Sequence, residues 1–228
     1  MGTLILLRHG ESTWNRQNRF TGWVDVSLSP DGMAQAARAG ELLQDVRLDV
    51  VYTSTLLRAQ DTTYEVLKRN RHCRHYLRIH AETEPWYAHF TPQPEDCDEL
   101  LVHVSESLNE RYYGDLQGLN KEDAAKRFGA EQVHSWRRSY DIAPPGGESL
   151  KATAERVLPY YREHIVPRLL AGQCVLVSAH GNSLRALAMD IEALSPKQIA
   201  AYELATGAPH VYRLDAGMHL QGKEILAP

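Results

Sequence analysis

Apolar residues crowd two short runs near opposite ends of the chain, Thr3 to Leu7 and Cys174 to Ser178. Neither run alternates with polar positions, and both are rich in β formers, which is the pattern of strands buried on both faces of a parallel sheet. Asp49 to Ser54 and Val211 to Arg213 predict two further strands. Between these runs the spacing turns helical. Ser29-Pro30-Asp31-Gly32 reads as a helix start, with Ser29 as N-cap and Pro30 in the first helical position. That helix is expected to reach about Gln44, with Met33, Ala37, Gly40 and Leu43 on one face. Further helices are predicted over 56–68, over 150–170 with Val157, Tyr161 and Ile165 in register, and after Asn182 with Leu184, Leu187, Ala188 and Ile191 aligned. Pro159 should kink the long helix, because it brings no N–H and its ring crowds the preceding turn. No element is predicted within 69–105, which holds five histidines, two cysteines and several prolines.

Strands alternating with helices predict an α/β fold: three layers, with a mostly parallel central sheet flanked by helices. The 228 residues show no internal repeat and no interdomain linker, so a single domain over 1–228 is expected.

Composition narrows the class without naming a function. Hydrophobic residues make up 43% and charged residues 24%, ordinary for a globular protein, which excludes wholesale disorder or a disulfide-dense scaffold. The net charge of −4 gives no basic excess for a nucleic-acid partner. Three cysteines, Cys73, Cys97 and Cys174, form an odd set without close pairing, as free thiols in a reducing compartment do. The first apolar run is too short for a signal peptide, and no run is long enough to span a membrane. A cytoplasmic protein is expected.

The candidate chemistry sits where two predicted strands end. Leu7-Arg8-His9-Gly10 and Ala179-His180-Gly181 each carry a His-Gly step directly after an apolar run. Ligands of parallel sheets bind beyond the carboxyl ends of the strands, so the two imidazoles could meet there. The glycine after each lets the chain turn sharply and lets a ligand approach the backbone. A neutral imidazole is a competent nucleophile toward phosphorus, and a transferring phosphoryl group needs cations and donors around its oxygens. Arg8 and a second histidine would supply them. No His, Asp and Glu set stands at a recognisable metal-binding spacing, so no metal is expected.

Longer blocks sharpen this picture. Leu6-Leu7-Arg8-His9-Gly10-Glu11-Ser12-Thr13-Trp14-Asn15 with Asn18-Arg19-Phe20-Thr21-Gly22-Trp23 resembles the opening of the cofactor-dependent phosphoglycerate mutases, within the histidine phosphatase superfamily. Thr53-Ser54 with Leu57-Arg58-Ala59, Leu108-Asn109-Glu110-Arg111 with Tyr113-Gly114, Leu116 to Lys121, Trp136-Arg137-Arg138 and Ala179 to Leu187 extend the resemblance over most of the chain.

The resemblance implies roles. His9 would be phosphorylated, primed by 2,3-bisphosphoglycerate, and would pass its phosphoryl group between 3-phosphoglycerate and 2-phosphoglycerate. Arg8, Arg58 and His180 would surround that group, and Glu110 would be the general acid and base. Gly10, Ser12, Asn15, Thr21 and Gly22 would bind substrate from the first loop. Arg111, Tyr113, Lys121, Arg137 and Arg138 would hold the groups that do not react, with Gly181 and Asn182 completing the site. Arg185, a turn into its helix, reads as structural.

Ser12 and Thr21-Gly22 follow the mutases rather than the bisphosphoglycerate-making branch. A bisphosphoglycerate synthase/phosphatase and a catalytically impaired binder of phospho-ligands are the competing readings. The stretch between Arg58 and Glu110 is longer than the family pattern, so an insertion within 69–105 is expected. Pro144 to Ser149 is a shorter turn than in many members. The chain ends soon after its last predicted strand, and a shorter cover over the site would raise the ratio of phosphatase to mutase activity. Members of that family are commonly dimers or tetramers, and a homodimer is expected.

Overall fold

The computed structural model describes residues 1–80 and 99–226. Seven strands form one sheet in the order β3-β4-β2-β5-β1-β6-β7. They are β1 (Gly2–Arg8), β2 (Val50–Thr53), β3 (His75–Ile79), β4 (Glu99–Val104), β5 (Cys174–Ala179), β6 (Pro209–Leu214) and β7 (Leu220–Ile225). The first five run parallel, and β6 and β7 join antiparallel at one edge.

Both faces of the sheet are buried, as the unbroken apolar runs require. Leu4 and Leu6 of β1 face one core layer with Val175 and Val177 of β5, and Ile5 and Leu7 face the other with Leu176. The second layer is closed by α2 (Pro30–Leu42) and α3 (Leu57–Arg69). The first is closed by α6 (Leu150–Tyr160), α7 (Val166–Leu170) and α8 (Gly181–Ile191). The one-turn α1 (Thr13–Arg16) precedes α2, and α9 (Pro196–Ala201) follows α8. A small third cluster, including Phe20, Val133 and Trp136, packs α4 (Lys121–Phe128) and α5 (Ala130–Arg138) above the carboxyl edge of the sheet.

Several expectations need correction. Gly40 and Leu43 of the predicted α2 face are buried, but the rest of the buried face is Gly32, Ala36 and Ala39, and Met33 is 40% exposed. Small residues win there because α2 lies tight against α3: a side chain at Gly40 would press on Arg69 and the Glu65 backbone. The predicted helix over 150–170 is interrupted at Tyr161–Ile165 by a wider π-type turn, two residues after Pro159. Two prolines, Pro159 and Pro167, neither with an N–H to donate, flank that turn. Two strands, β3 and β4, fall in the stretch where none was predicted, and β7 follows the strand that was read as the last. His89, Cys97 and the Pro92-Gln93-Pro94 step lie outside the described residues.

Candidate active site

The register of the sheet builds the site. Arg8 pairs with Ala179 across β1 and β5, so the next residues, His9 and His180, leave the sheet side by side. Their ring centroids are 5.0 Å apart, edge to face. Beyond His9 the chain passes so close to the first turn of α2 that a β-carbon on Gly10 would collide with the Gly32 carbonyl. Gly10 is therefore a packing requirement, and its N–H donates to Thr62 Oγ1 at 3.1 Å.

His9 is buried, and two contacts define its protonation. Its Nδ1 lies 2.6 Å from the Gly10 carbonyl, which can only accept, so Nδ1 carries the hydrogen. Arg58 Nε donates to Nε2 at 3.3 Å, so Nε2 presents its lone pair. Burial, then the charges of Arg58 and Arg8, hold the His9 pKa well below its ordinary value. The ring is neutral, with its lone pair on Nε2, the form of imidazole that can act as a nucleophile.

Arg58 stands on the first turn of α3, 1% exposed, and also donates to the carbonyls of Val24 at 3.0 Å and Gly22 at 2.7 Å. Burial lowers its pKa to about 10, which leaves it cationic at neutral pH. Gly22 makes this clamp possible: its φ is +54°, and a β-carbon there would strike Gln117 Oε1. Arg8 Nη1 donates to the Leu204 carbonyl at 2.9 Å.

Glu110 reaches the same place from the loop after β4. Its Oε1 accepts three N–H groups: the Arg111 backbone at 2.8 Å, the Asn182 backbone at 3.0 Å and Asn182 Nδ2 at 3.0 Å. The first turn of α8 thus helps fix one carboxylate oxygen, Oε1, and takes no bond to Oε2. The loop itself is pinned from behind. Trp23 Nε1 donates to the Glu110 carbonyl at 2.5 Å, and Arg156 donates to the carbonyls of Ser107, Asn109 and Glu110 while pairing with Glu148 at 3.0 Å.

One cavity collects most of the predicted site residues. Arg8, His9, Asn15, Thr21, Gly22, Arg58, Glu110, Tyr113, Lys121, Arg137, Arg138, Gly181 and Asn182 line it. Gly10, Ser12, Arg111 and His180 do not. Ser12 is buried as the N-cap of α1, accepting the Asn15 N–H at 3.1 Å, so it shapes the loop rather than facing the cavity. Arg111 is buried, its guanidinium 4.7 Å from the Tyr113 ring centroid. His180 is buried with its ring edge to face with that of His9.

Sequence reasoning missed other members of the site. Arg185 lines the cavity and donates to Asn182 Oδ1 at 3.2 Å, because α8 begins at the site and one turn later is still beside it. Arg19, Phe20 and Glu203 line it too, and Glu203 pairs with Arg138. Trp23, Glu148 and Arg156 hold the Glu110 loop through contacts too distant in sequence to read.

The electrostatics suit a multiply charged anion. Seven cationic side chains line the cavity against two carboxylates. Burial, then Arg137 and Arg8, lower the Lys121 pKa to about 8. Arg8 Nε, Arg111 Nε and Nη1, and His180 Nδ1 are buried without a protein partner, as is Thr21 Oγ1. Buried polar atoms are rarely left unpaired, so Arg8 Nε and Thr21 Oγ1, whose residues line the cavity, fit the oxygens of an anionic ligand. Among the described residues no group of three His, Cys, Asp or Glu side chains is placed to hold a metal ion, and no helix is long and apolar enough to cross a membrane.

The buried histidines make the fold sensitive to acid. His9 and His180 are held well below the usual value and His103 at about 4, each chiefly by burial. Below about pH 6.5 the unfolded chain binds protons that the folded one refuses. Stability is therefore complete above that pH and is lost as pH falls toward the folded values, by up to about 1.4 kcal/mol per pH unit for each ring. Urea midpoints should drop steeply between pH 7 and 5. A flat profile would mean that these rings are protonated inside the fold.

The comparisons agree with the site. The model of the histidine phosphatase superfamily (branch 1) matches residues 4–83 and 93–219. A 2,3-bisphosphoglycerate-dependent phosphoglycerate mutase from Pseudoalteromonas atlantica is 57% identical over 226 residues, 99% of this chain and 100% of its own. A phosphoglycerate mutase from Schizosaccharomyces pombe is 52% identical, covering 98% of this chain and 95% of its own. Among solved structures, a mycobacterial glucosyl-3-phosphoglycerate phosphatase superposes with a TM-score of 0.74 at 26% identity, over 93% of this chain and 92% of its own. With two strand-end histidines, a guanidinium on the nucleophile and relatives of this identity along its whole length, the chain belongs to the histidine phosphatase superfamily, in the family of the phosphoglycerate mutases.

Proposed function

We propose that the protein interconverts 3-phosphoglycerate and 2-phosphoglycerate through phosphorylated His9. The observation that carries this reading is the pairing of a fixed nucleophile with a fixed carboxylate in one cationic cavity: His9 Nε2 is bare, and Glu110 keeps one oxygen free. His9 Nε2 takes the phosphoryl group and returns it to either hydroxyl. Arg8 and Arg58 neutralise its oxygens as it moves, and His180 donates a hydrogen bond to them. Glu110 Oε2 protonates the departing hydroxyl and deprotonates the attacking one. Lys121, Arg111, Arg137 and Arg138 retain the carboxylate and the second phosphate, with Asn15, Thr21, Gly22, Tyr113, Gly181 and Asn182 shaping the bed.

The priming donor in this reading is 2,3-bisphosphoglycerate, which supplies a phosphoryl group to an unphosphorylated enzyme. The surplus of cations lining the cavity and the unpartnered Arg8 Nε fit a ligand with two phosphates. We assign the protein to the cytoplasm as a homodimer on the family pattern, with an inserted segment within 69–105.

The test is an enolase-coupled assay of 3-phosphoglycerate conversion after EDTA treatment, with released phosphate measured in parallel. Isomerisation should require trace 2,3-bisphosphoglycerate. Phosphate release without isomerisation would replace the mutase reading by a phosphatase.

A further inference from the structure

Ser54 follows β2 as His180 follows β5, and the pairing of Thr53 with Ser178 sets the two loops side by side. Both residues are fully buried. Ser54 Oγ lies 2.7 Å from His180 Nε2 and accepts the Leu56 backbone N–H at 3.2 Å. A hydroxyl has one hydrogen and two lone pairs. Were Nε2 the donor, both lone pairs would be spent, and among the described residues the hydroxyl hydrogen would have no acceptor. With the hydroxyl donating to Nε2, every group at this contact is satisfied. The single proton of the neutral ring then sits on Nδ1, the nitrogen left without a protein partner.

We propose that Ser54 is a positioning residue: its hydroxyl donates to His180 Nε2 and so holds the imidazole as the Nδ1–H tautomer, which offers a donor to the phosphoryl group on His9. The inference rests on the role given to His180 above. Phosphoryl oxygens only accept, so the opposite tautomer would turn a lone pair toward them. Burial, then the charges of Arg58, His9, Arg8 and Arg156, keep the ring neutral in the free protein, which is the state in which the tautomer matters.

The ring can be observed without substrate. In protein labelled with 15N-histidine, the His180 signal, assigned by its loss in His180→Gln, should show a protonated Nδ1 and a bare Nε2 at pH 7.5. In Ser54→Ala the proton should move to Nε2. The same variant should lose on the order of 10²-fold in kcat, the cost of one misdirected donor, with KM for 3-phosphoglycerate unchanged. Ser54→Thr, which keeps the hydroxyl, should restore both the tautomer and the rate. A wild-type ring protonated on Nε2 overturns the proposal, even if Ser54→Ala fails to fold. So does an unchanged tautomer or an unchanged kcat in a folded Ser54→Ala, since either reduces Ser54 to the start of the turn before α3. The spectrum is independent of isomerisation, so failure of the mutase reading would show separately in the bisphosphate assay.

Discussion

Replacing His9 by alanine should abolish isomerisation, with a loss of at least about 10⁴-fold in kcat, and should abolish transfer of 32P from labelled 2,3-bisphosphoglycerate to the protein. The reason is the single reactive lone pair. Nδ1 is committed to the Gly10 carbonyl, and Nε2 alone faces Arg58. The other ring, His180, cannot stand in, because its Nε2 is engaged by Ser54. Removing the imidazole leaves the cationic bed in place, so binding of 3-phosphoglycerate should survive and can be measured by calorimetry. Residual turnover within tenfold of the wild type, or a labelled His9→Ala protein, would show that the phosphoryl group travels by another route.

Glu110→Gln should lower kcat for isomerisation by about 10²- to 10⁴-fold, the range of a lost general acid and base. The glutamine carbonyl can take the three N–H groups now received by Oε1, so the loop keeps its shape. Its amide nitrogen then replaces Oε2 and can act neither as acid nor as base near neutral pH. An aryl phosphate with an acidic phenol as leaving group needs no such acid. Phosphorylation of His9 by that donor should therefore proceed in Glu110→Gln nearly as in the wild type. Equal losses with both donors would mean that Glu110 places the site and does not handle the proton.

The parts of the site that were legible in the sequence are those that a strand delivers directly. Arg8-His9 and Ala179-His180 end unbroken apolar runs, and such runs have one plausible address, the middle of a parallel sheet. The outer elements were hidden for opposite reasons. β3 has exposed positions on both faces and β7 carries mostly polar residues, so neither has a hydrophobic period to detect. β7 is held instead by pairing with β6 and by Lys223, which reaches Glu192 at 2.9 Å. The face of α2 was misread because Met33 outweighs glycine and alanine on any hydropathy scale, whereas close approach of two helices favours small residues. The support of Glu110 by Trp23, Glu148 and Arg156 left no trace, because it joins segments brought together only by the fold.

The strand order gives the site a place in time. β5 lies between β1 and β2, which are not neighbours, although both leave the ribosome more than a hundred residues earlier. An early chain that zipped β1 directly onto β2 would bury the slot that β5 must fill. The nascent protein must therefore keep its first two strands apart until residue 179 has emerged, and only then do His9 and His180 meet. Such long-range closure makes for slow folding and a long exposure of sticky strand edges. The same insertion that brings the two strand-end histidines together is thus a step at which synthesis of this protein is open to misassembly.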